Sequence, residues 1–429
     1  MHKIYKTYKP KESALLIGVQ LEGTTNFDIS ESLQELELLT NTAEVKVVGI
    51  EKQQKDTPNP TYYIGSGKAK ELRKIVRKKH IDVIIFDNEL SPAQNRNLSK
   101  LTKVKVIDRT QVILDIFAQH AKTRQSKIQV ELAQLEYTLS RLKRMWTHLS
   151  RIEGGIGFRG PGEKQIEVDR RKIRDRIALL RKKLKEIDRI TETKRHKRKE
   201  LFSVSLVGYT NAGKTTILNK LAHSNMYTAN KLFATLDTTT RALELNTGDN
   251  VVLSDTIGFI RKLPTHLISS FYATLKEVME ADLLLHIIDI SHPKLYEYID
   301  SVFYVLKGIN ADKKDMVMVF NKIDLLPKYQ YLFLKKKLRI DFANSIFISA
   351  KNEINLEKIK DKIAVYVNEQ KKEIRLCIPQ KNQSLVSFLH SNTEILDKEY
   401  YQTNVYLHLR IHKKLLHKIE HILEPYFTE

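Results

Sequence analysis

The first quarter of the chain alternates short apolar runs with amphipathic stretches. The runs that predict strands are Ala14–Val19, Val45–Ile50, Ile81–Phe86 and Val104–Ile107. The stretches that predict helices are Leu33–Leu39, Lys68–Lys78 and Pro92–Leu101. Because strands that alternate with helices are typical of a parallel sheet, residues 1–110 predict an N-terminal parallel α/β subdomain.

A heptad pattern begins where this alternation stops. Apolar residues recur at spacings of three and four, first at Ile128, Leu132, Leu135, Leu139, Leu142, Trp146 and Leu149, then at Ile173, Ile177, Leu180, Leu184 and Ile187. Two heptad helices joined by one loop predict an antiparallel helical hairpin over residues 111–199. The Gly-rich segment 154–162 is the predicted tip loop, whose glycines leave Arg159 and the backbone amides free to approach a partner closely.

A third pattern, an apolar strand followed by a glycine-rich loop and a helix, begins at Leu201. The loop residues are Gly208, Tyr209, Thr210, Asn211, Ala212, Gly213, Lys214 and Thr215. Glycines let backbone N–H groups cradle phosphates, Lys214 can reach the β- and γ-phosphates, and the Thr215 hydroxyl can ligate Mg²⁺. A glycine turn before an ordinary helix is the alternative, but the strand before the loop favours a phosphate-binding loop.

The segment Asp255-Thr256-Ile257-Gly258 follows a second apolar strand, Val251–Leu253. A carboxylate in this place can hold Mg²⁺ through water, and the Gly258 N–H can meet a γ-phosphate. This segment therefore predicts the metal side of a nucleoside triphosphate site.

Two further segments identify the base. Asn321-Lys322-Ile323-Asp324 follows the strand Met316–Phe320, and Ser349-Ala350-Lys351 follows the strand Ser345–Ile348. The Asp324 carboxylate can accept two hydrogen bonds from the N1–H and exocyclic amine of guanine, which adenine does not offer. Backbone N–H groups of the second segment can meet the guanine carbonyl. In this order, and each after its own strand, these segments predict a GTP-binding domain over residues 200–368.

The tail, residues 369–429, predicts a small α/β domain. Its expected strands are Ile374–Ile378 and Asn404–Ile411, and its expected helices are Gln383–Leu389 and Lys413–Ile422. Tyr400, Tyr401 and Tyr406 lie among basic residues and can form either a stacking surface or part of a core. We favour the core, because aromatic residues at strand spacing usually pack inward.

The charge of the chain predicts a polyanionic partner. Its 429 residues carry a formal net charge of +22, and the pI is near 9.6. The segment from Arg170 to Glu200 contains 15 Lys and Arg residues and 5 Asp and Glu residues. Its net charge of +10 is one that a solvated coiled-coil surface rarely carries. Contact with nucleic acid phosphates, in RNA rather than DNA, is the favoured interpretation, and a membrane surface is the alternative.

Cysteine use and hydropathy indicate the compartment. The single cysteine, Cys377, excludes an internal disulfide framework and suits a reducing cytosol. No apolar stretch approaches the length of a membrane span, and the N-terminus lacks the apolar core of a signal peptide. We expect a cytoplasmic protein, with peripheral membrane association left open. We also expect a monomer, since the heptad residues of the two helices pack against each other within one hairpin.

Three segments together carry a family resemblance. They are Arg159–Arg171 (RGPGEKQIEVDRR) at the tip, Phe233–Arg241 (FATLDTTTR) and Asp255–Pro264 (DTIGFIRKLP). With the order of the domains, they resemble the HflX family of bacterial-type, ribosome-associated GTPases over nearly the whole chain. The sequence departs from the family at Lys164, where Thr or Ser is usual, and at Thr238, where Pro is usual.

The resemblance implies a function and further site residues. It makes Phe233–Arg241 the first switch and Asp255–Pro264 the second switch. The first switch is implied to supply Phe233, Ala234, Thr235, Leu236 and Asp237 to the nucleotide site, with Thr235 ligating Mg²⁺ beside Thr215. The implied catalytic residues are Lys214, Thr235 and Gly258. The implied partner is the large (50S) ribosomal subunit near the peptidyl-transferase centre, and the implied role is to split stalled or idle ribosomes under stress. Some relatives also use ATP through the N-terminal region. There Gly65–Lys68 is a candidate anion site, although a plain glycine turn is the favoured interpretation.

Two positions predict how hydrolysis is controlled. Many small GTPases follow Asp-Thr-x-Gly with a glutamine that orients the attacking water, whereas this chain has Phe259. We therefore expect slow intrinsic hydrolysis that rises when the ribosome completes the site. Asn211 is typical of GTPases that hold K⁺ beside the phosphates in place of an arginine finger.

Three other functions fit parts of the pattern. The first is a GTPase that assembles the large subunit through the same rRNA contacts. The second is an N-terminal ATPase or RNA helicase acting on rRNA. The third is a signalling switch held at a membrane surface by the basic run.

Overall fold

The computed structural model describes residues 11–23, 25–152, 161–196, 201–222, 232–233, 237–261 and 272–428. These residues form four successive units: an N-terminal domain, a helical hairpin, a central domain and a C-terminal domain. Within them, none of the helices combines the length and the apolar character needed to cross a membrane.

The N-terminal domain is a four-stranded parallel sheet with helices on both faces. Its strands are β1 (Ser13–Gln20), β2 (Lys46–Gln54), β3 (Val83–Phe86) and β4 (Lys105–Asp108), in the spatial order β2-β1-β3-β4. Its helices are α1 (Asn26–Thr42), α2 (Ser66–Lys79), α3 (Pro92–Thr102) and α4 (Arg109–His120). Neighbouring residues of β1 point to opposite faces, so Leu16 packs in one apolar layer and Leu15 in the other.

Two of these helices differ from the prediction, one in its length and one in its existence. Helix α1 begins after Thr25, because Thr25 and Asp28 cap it reciprocally through hydrogen bonds of 2.9 and 3.1 Å. Helix α4 has no predicted counterpart, and its Ile113 and Phe117 are buried against the N-terminal sheet. The N-terminal apolar layer thus continues past residue 111, where the predicted hairpin begins.

A buried ion cluster holds α4 to the rest of the N-terminal domain. Arg109, which is 3% exposed, contacts the carboxylate of Asp87 at 2.8 Å and that of Glu35. The Ser32 hydroxyl donates to the second oxygen of Asp87 at 2.7 Å. Burial acts to lower the pKa of Arg109, but the charges of Glu35 and Asp87 raise it above its ordinary value. The cluster therefore stays ionised inside the protein.

The hairpin consists of α5 (Arg124–Ile152) and α6 (Pro161–His196). The predicted heptad residues Ile128, Leu132, Ile177 and Leu180 form its apolar seam, as expected. The predicted tip loop is too long at one end, because α6 begins at Pro161, a residue whose fixed φ suits the first helical turn. The rest of that loop, Arg159 included, and Lys197–Lys199 of the basic run lie outside the described residues.

The central domain is a six-stranded sheet with helices between its strands. Its strands are β5 (Phe202–Gly208), β6 (Thr239–Glu244), β7 (Asn250–Asp255), β8 (Leu283–Asp289), β9 (Met316–Asn321) and β10 (Ser345–Phe347), in the order β10-β9-β8-β5-β7-β6. Its described helices are α7 (Lys214–Leu221), α8 (Tyr272–Glu280), α9 (Leu295–Gly308), α10 (Lys328–Asp341) and α11 (Glu357–Glu369). All neighbours are parallel except β6 and β7. Because β5 lies between β7 and β8, the chain turns to opposite sides there, which opens a crevice at the strand ends.

The C-terminal domain is a three-stranded antiparallel sheet with two helices. It contains β11 (Lys371–Pro379), α12 (Gln383–Asn392), β12 (Glu394–Tyr401), β13 (Asn404–His412) and α13 (Lys413–Leu423), with the strand order β11-β13-β12. Strand β12 was not predicted. The favoured core placement of the three tyrosines is wrong, because Tyr400, Tyr401 and Tyr406 are 64%, 63% and 40% exposed. The apolar residues of β13 and α13 fill the core without them.

These units confirm the predicted class, a multidomain α/β protein with a helical hairpin and a phosphate-binding loop. The parallel sheets account for the α/β alternation, and the hairpin separates the two of them along the chain.

We predict that Arg109→Met lowers the free energy of unfolding by about 3–5 kcal/mol, because it leaves two carboxylates buried without their counter-ion. The matched control is Arg181→Met, which removes an exposed guanidinium paired with Glu136 and should cost less than about 1 kcal/mol. Urea unfolding followed by far-ultraviolet circular dichroism measures both. Equal losses in the two variants would contradict a special role for the buried cluster.

Candidate functional site

Two glycines let the loop between β5 and α7 fold tightly against its neighbours. Gly208 has φ +150° and Gly213 has φ +101°, values that side chains rarely adopt. A Cβ atom on Gly208 would lie 2.2 Å from the carbonyl oxygen of Ile287, and one on Gly213 would lie 2.3 Å from the Asn321 amide nitrogen. Only glycine fits at these two positions, so they let the loop pass this close to β8 and to the end of β9.

Lys214 lies inside this loop. Its ammonium group is buried and donates to the carbonyl oxygens of Gly208 at 3.0 Å and Tyr209 at 2.9 Å. Burial lowers the pKa of Lys214 to about 8, although the nearby Asp255 carboxylate opposes the shift. A buried ammonium at the end of a glycine-rich loop, where a helix begins, suits the phosphates of a nucleotide.

A hydroxyl and a carboxylate meet beside the loop. The Thr215 hydroxyl donates to Asp255 at 2.6 Å, and the Asp255 carboxylate is fully buried at the end of β7. Oxygen atoms of this kind fit Mg²⁺, which takes its other ligands from phosphates and water. Among the residues described, no cluster of three His, Cys, Asp or Glu side chains could hold a metal by itself. Thr235, the second expected ligand, lies outside them.

The residues after Asp255 fix the second switch to the loop. Thr256 is buried and donates to the Leu206 carbonyl at 2.6 Å, and Ile257 is buried too. A Cβ atom on Gly258 would lie 3.1 Å from the Lys214 nitrogen, so glycine keeps this backbone close to the ammonium.

Phe259 faces away from the nucleotide crevice. Its side chain is 2% exposed and packs in an apolar cluster with Val207 and Leu284. Its backbone donates to Gly208 at 3.1 Å and accepts from Thr210 at 2.8 Å. A buried ring in this place leaves the position without a group that could orient water.

The two guanine segments are joined to the phosphate loop through one side chain. The Asn321 amide donates to the Ala212 carbonyl at 2.8 Å and accepts from the Ala350 N–H at 2.9 Å. Asp324 accepts from the Ser349 hydroxyl at 2.5 Å, which orients its carboxylate. The structure thus brings together three of the segments that the sequence predicts, with Asn321 as their common link.

Lys322, Ile323 and Lys351 complete these segments. Lys322 has φ +67° and forms an ion pair of 2.7 Å with Asp289 at the end of β8, while Ile323 is half-buried and Lys351 exposed. Asp289 was not predicted as a site residue. The only signal for it is its place at the end of an apolar strand next to the loop.

Both described ends of the first switch contact the N-terminal half of the chain. The Phe233 ring packs edge-on against Phe117 of α4 at 4.8 Å. The Asp237 carboxylate accepts from the Lys122 N–H at 3.1 Å and from the Thr123 hydroxyl at 2.7 Å, just before α5 begins. Ala234, Thr235 and Leu236 between them lie outside the described residues. Asp237 therefore caps the hairpin helix in this conformation and does not face the phosphate loop.

Tyr209 connects the phosphate loop to the buried cluster of the N-terminal domain. Its ring stacks on Tyr298 with centroids 3.8 Å apart, and its hydroxyl donates to Glu35. The same hydroxyl accepts from the Arg261 N–H at 2.8 Å, in the second switch. Burial and the charge of Glu35 raise the pKa of Tyr209, so the hydroxyl keeps its proton. Glu35 and Arg109 were not predicted here, since nothing in the sequence distinguishes them from other charged residues.

The acidic side of α1 forms further ion pairs with the central domain. Lys294 contacts Asp28, and it lies 3.0 Å from Glu31 and 3.1 Å from Glu297. Arg261 lies 3.2 Å from Glu31. The hydrogen bond from Lys294 is the largest cause that lowers the pKa of Asp28. A pocket of about 150 Å³ lies between α1 and the loop residues Tyr209–Ala212.

Comparisons with known proteins agree with this architecture. Three family models match consecutive parts of the chain: GTP-binding GTPase N-terminal over residues 30–118, GTP-binding GTPase Middle Region over 120–198, and 50S ribosome-binding GTPase over 203–322.

Curated relatives are similar over most of the chain, and each is named GTPase HflX. The protein from Flavobacterium psychrophilum is 45% identical over 83% of this chain and 91% of its own length. That from Escherichia coli K12 is 44% identical over 76% of both chains, and that from Lacrimispora saccharolytica is 39% identical over 97% of both. A crystal structure of a GTP-binding protein from Sulfolobus solfataricus in complex with GDP covers 83% of this chain and 98% of its own, with 28% identity and a TM-score of 0.44.

We predict that GTP binding takes up protons above pH 8. In the free protein the pKa of Lys214 is about 8, so about three-quarters of the side chain is deprotonated at pH 8.5. Phosphates beside the amine raise this pKa again, so binding at pH 8.5 should draw about 0.7 proton per GTP, and binding at pH 7.5 about 0.2. Affinity should correspondingly weaken as the pH rises through 8.

Titration calorimetry in two buffers of different ionisation enthalpy measures this uptake. Lys220→Gln, which removes an exposed ammonium on the same helix, should leave the uptake unchanged. Absence of uptake at pH 8.5 in the unmodified protein would show that Lys214 is already fully protonated.

Proposed function

Because this chain belongs to the HflX family and is therefore a GTPase, we propose that it binds the large ribosomal subunit with GTP and separates stalled or idle ribosomes under stress. Two findings support the ribosomal partner. The family model that matches residues 203–322 describes a 50S ribosome-binding GTPase, and the resemblance to the HflX family, now confirmed, implies contact near the peptidyl-transferase centre.

The basic hairpin is the observation that carries this proposal. Helix α6 exposes Arg171, Lys172, Arg174, Lys182 and Lys185 to solvent. Two other arginines, Arg176 and Arg181, form ion pairs across the hairpin with Glu131 and Glu136, which ties α6 to α5. The shorter helix of the hairpin, α5, has 29 residues and is about 43 Å long. A hairpin of this length with exposed cations suits contact with the phosphates of folded rRNA. We expect a monomer, since the seam is filled within one hairpin.

The phosphate loop and the switches are assigned roles on this basis. Residues Gly208–Thr215 would bind the phosphates, with Lys214 neutralising the charge that develops during hydrolysis. Thr215 and Thr235 would hold Mg²⁺, with Asp255 acting through water. Mg²⁺ held by these residues would supply positive charge that offsets the charge of the phosphates. The Gly258 N–H would donate to the γ-phosphate.

Guanine recognition is assigned to the two segments that Asn321 joins. Asp324 would accept from the base, the Lys322 stem would lie along the ring, and the N–H groups of Ser349–Lys351 would meet the carbonyl. The hydrogen bond from Ser349 holds Asp324 in one orientation, which supports this role. Asn321 would act by positioning, since both ends of its amide are used by the protein.

Hydrolysis is proposed to be slow until the ribosome binds. The buried side chain of Phe259 supports this, because it supplies no polar group at the position where many GTPases orient water. Asn211, in the left-handed region with φ +61°, is proposed to help hold K⁺ beside the phosphates.

The N-terminal ATP site has less support. The Lys68 ammonium contacts Glu51 at 2.6 Å and Glu71 at 3.1 Å, and the Gly65 N–H donates to Gln53 at 2.9 Å. An anion at this helix end would have to displace these partners.

Large-subunit assembly remains the nearer alternative to ribosome splitting. Density gradients separate these two functions, because a splitting factor depletes intact ribosomes whereas an assembly factor marks immature subunits.

We predict that isolated large subunits raise steady-state GTP hydrolysis roughly tenfold or more, and that small subunits do not. Lys182→Glu/Lys185→Glu should abolish most of the stimulation, because it reverses charge on the hairpin. Lys307→Glu/Lys313→Glu, an equal charge change on the central domain, should preserve it. Equal rates with and without large subunits would refute the proposal, and the same assay in NaCl in place of KCl tests the role of Asn211.

We predict that Asp324→Asn weakens GTP binding by about a hundredfold, since an amide cannot accept both guanine donors. The same variant should bind XTP better than the parent does, because the C2 carbonyl of xanthine can accept from the new amide. Asp300→Asn, an exposed change of equal charge, is the control. Fluorescence titration with labelled GTP and XTP measures both affinities, and unchanged GTP affinity would assign guanine selection elsewhere.

A further inference from the structure

Helix α10 carries a row of exposed apolar side chains that the proposed GTPase cycle does not use. Tyr329, Leu332, Phe333 and Ile340 are 70%, 54%, 71% and 77% exposed. Their spacing of three, four and eleven residues places them on one face of the helix. Leu325, which is 58% exposed, lies just before the helix and extends the row. Contiguous apolar surface of this kind marks a binding surface.

The opposite face of α10 already fills the core of the central domain. Leu338 is fully buried, and Tyr331, Leu334 and Phe342 pack against the same apolar cluster. The helix is therefore held in place from behind, without help from the exposed row. None of the four exposed side chains belongs to this cluster, so their apolar character calls for an external partner.

Cations border the row along the helix. Lys336 lies within it, Lys337 follows on one side, and Lys328 and Arg339 lie on the other. The only acidic residue of the helix, Asp341, accepts a hydrogen bond from Tyr296 of α9 at 2.6 Å. The partner of this face is therefore expected to be anionic as well as apolar.

We propose that α10 lies on an anionic lipid bilayer. Aromatic and aliphatic side chains enter the headgroup region, while lysine and arginine stems extend to the anionic headgroups. The cations would repel a second copy of the same face, and the aliphatic residues of the row would gain nothing from RNA. Docking through this face would be reversible, since the row enters only the membrane surface.

Co-sedimentation with vesicles tests the proposal on the full-length protein. Vesicles of phosphatidylcholine with about 30% phosphatidylglycerol should bind the protein, and pure phosphatidylcholine should bind it weakly. Leu332→Glu/Phe333→Glu should lower the partition coefficient on anionic vesicles about tenfold. The control Val365→Glu/Ile422→Glu adds the same charge at exposed apolar positions of α11 and α13 and should leave binding unchanged.

A second pair of variants separates this helix from the basic hairpin. Lys336→Gln/Arg339→Gln should weaken vesicle binding more than Lys182→Gln/Lys185→Gln, which removes the same charge from α6. GTP binding and the unfolding transition check that all variants are folded. The proposal is overturned if anionic vesicles fail to bind the protein, if the two glutamate double variants behave alike, or if the hairpin variants lose as much binding as those of α10. If anionic vesicles fail to bind the protein, the exposed apolar row of α10 would be explained by a protein partner instead.

Discussion

The contact between Arg109, Glu35 and Tyr209 is the constraint on which the arrangement of the domains depends. It removes a guanidinium, a carboxylate and a phenol from water, and the Glu35 carboxylate is the partner that Arg109 and Tyr209 share. An isolated charge in such a place would cost several kcal/mol, so separating the domains must also bring water to these groups. The N-terminal domain therefore helps to fix the position of the phosphate loop. A displacement of either one changes the contacts of the other.

The nucleotide crevice is assembled by short links at the carboxyl ends of the strands. Asn321 joins the guanine segments to the phosphate loop, and Thr215 joins the loop to the second switch through Asp255. Glycine at position 213 permits the close approach of Asn321, and glycine at position 208 permits that of the Ile287 carbonyl; a side chain at either position would block it. The site is thus largely formed by the fold itself, and the two switches are the parts that it shares with the neighbouring domains.

Local sequence patterns predict the features that need certain residues close together in the chain. The features that they miss depend on contacts between residues far apart in the sequence. The glycine loop, the three other nucleotide segments of the central domain and the heptad seam were all visible, because each needs certain residues at fixed spacing. Helix α4 was missed since its apolar residues follow directly on β4, and β12 since an exposed edge strand has little alternation. The exposed tyrosines and the partners of Tyr209 could not be foreseen, because both follow from how separate elements pack.

The place where Asp237 holds the hairpin has a mechanical consequence. This residue of the first switch binds the N–H groups at the base of α5, a helix of 29 residues. Such a helix is about 43 Å long, so a rotation of about 5° at its base displaces its far end by about 4 Å. A small movement of the first switch therefore becomes a larger displacement at the end of the hairpin that is proposed to meet the partner. A change in the switch too small to disturb the fold is enough to move the far end by the width of a side chain.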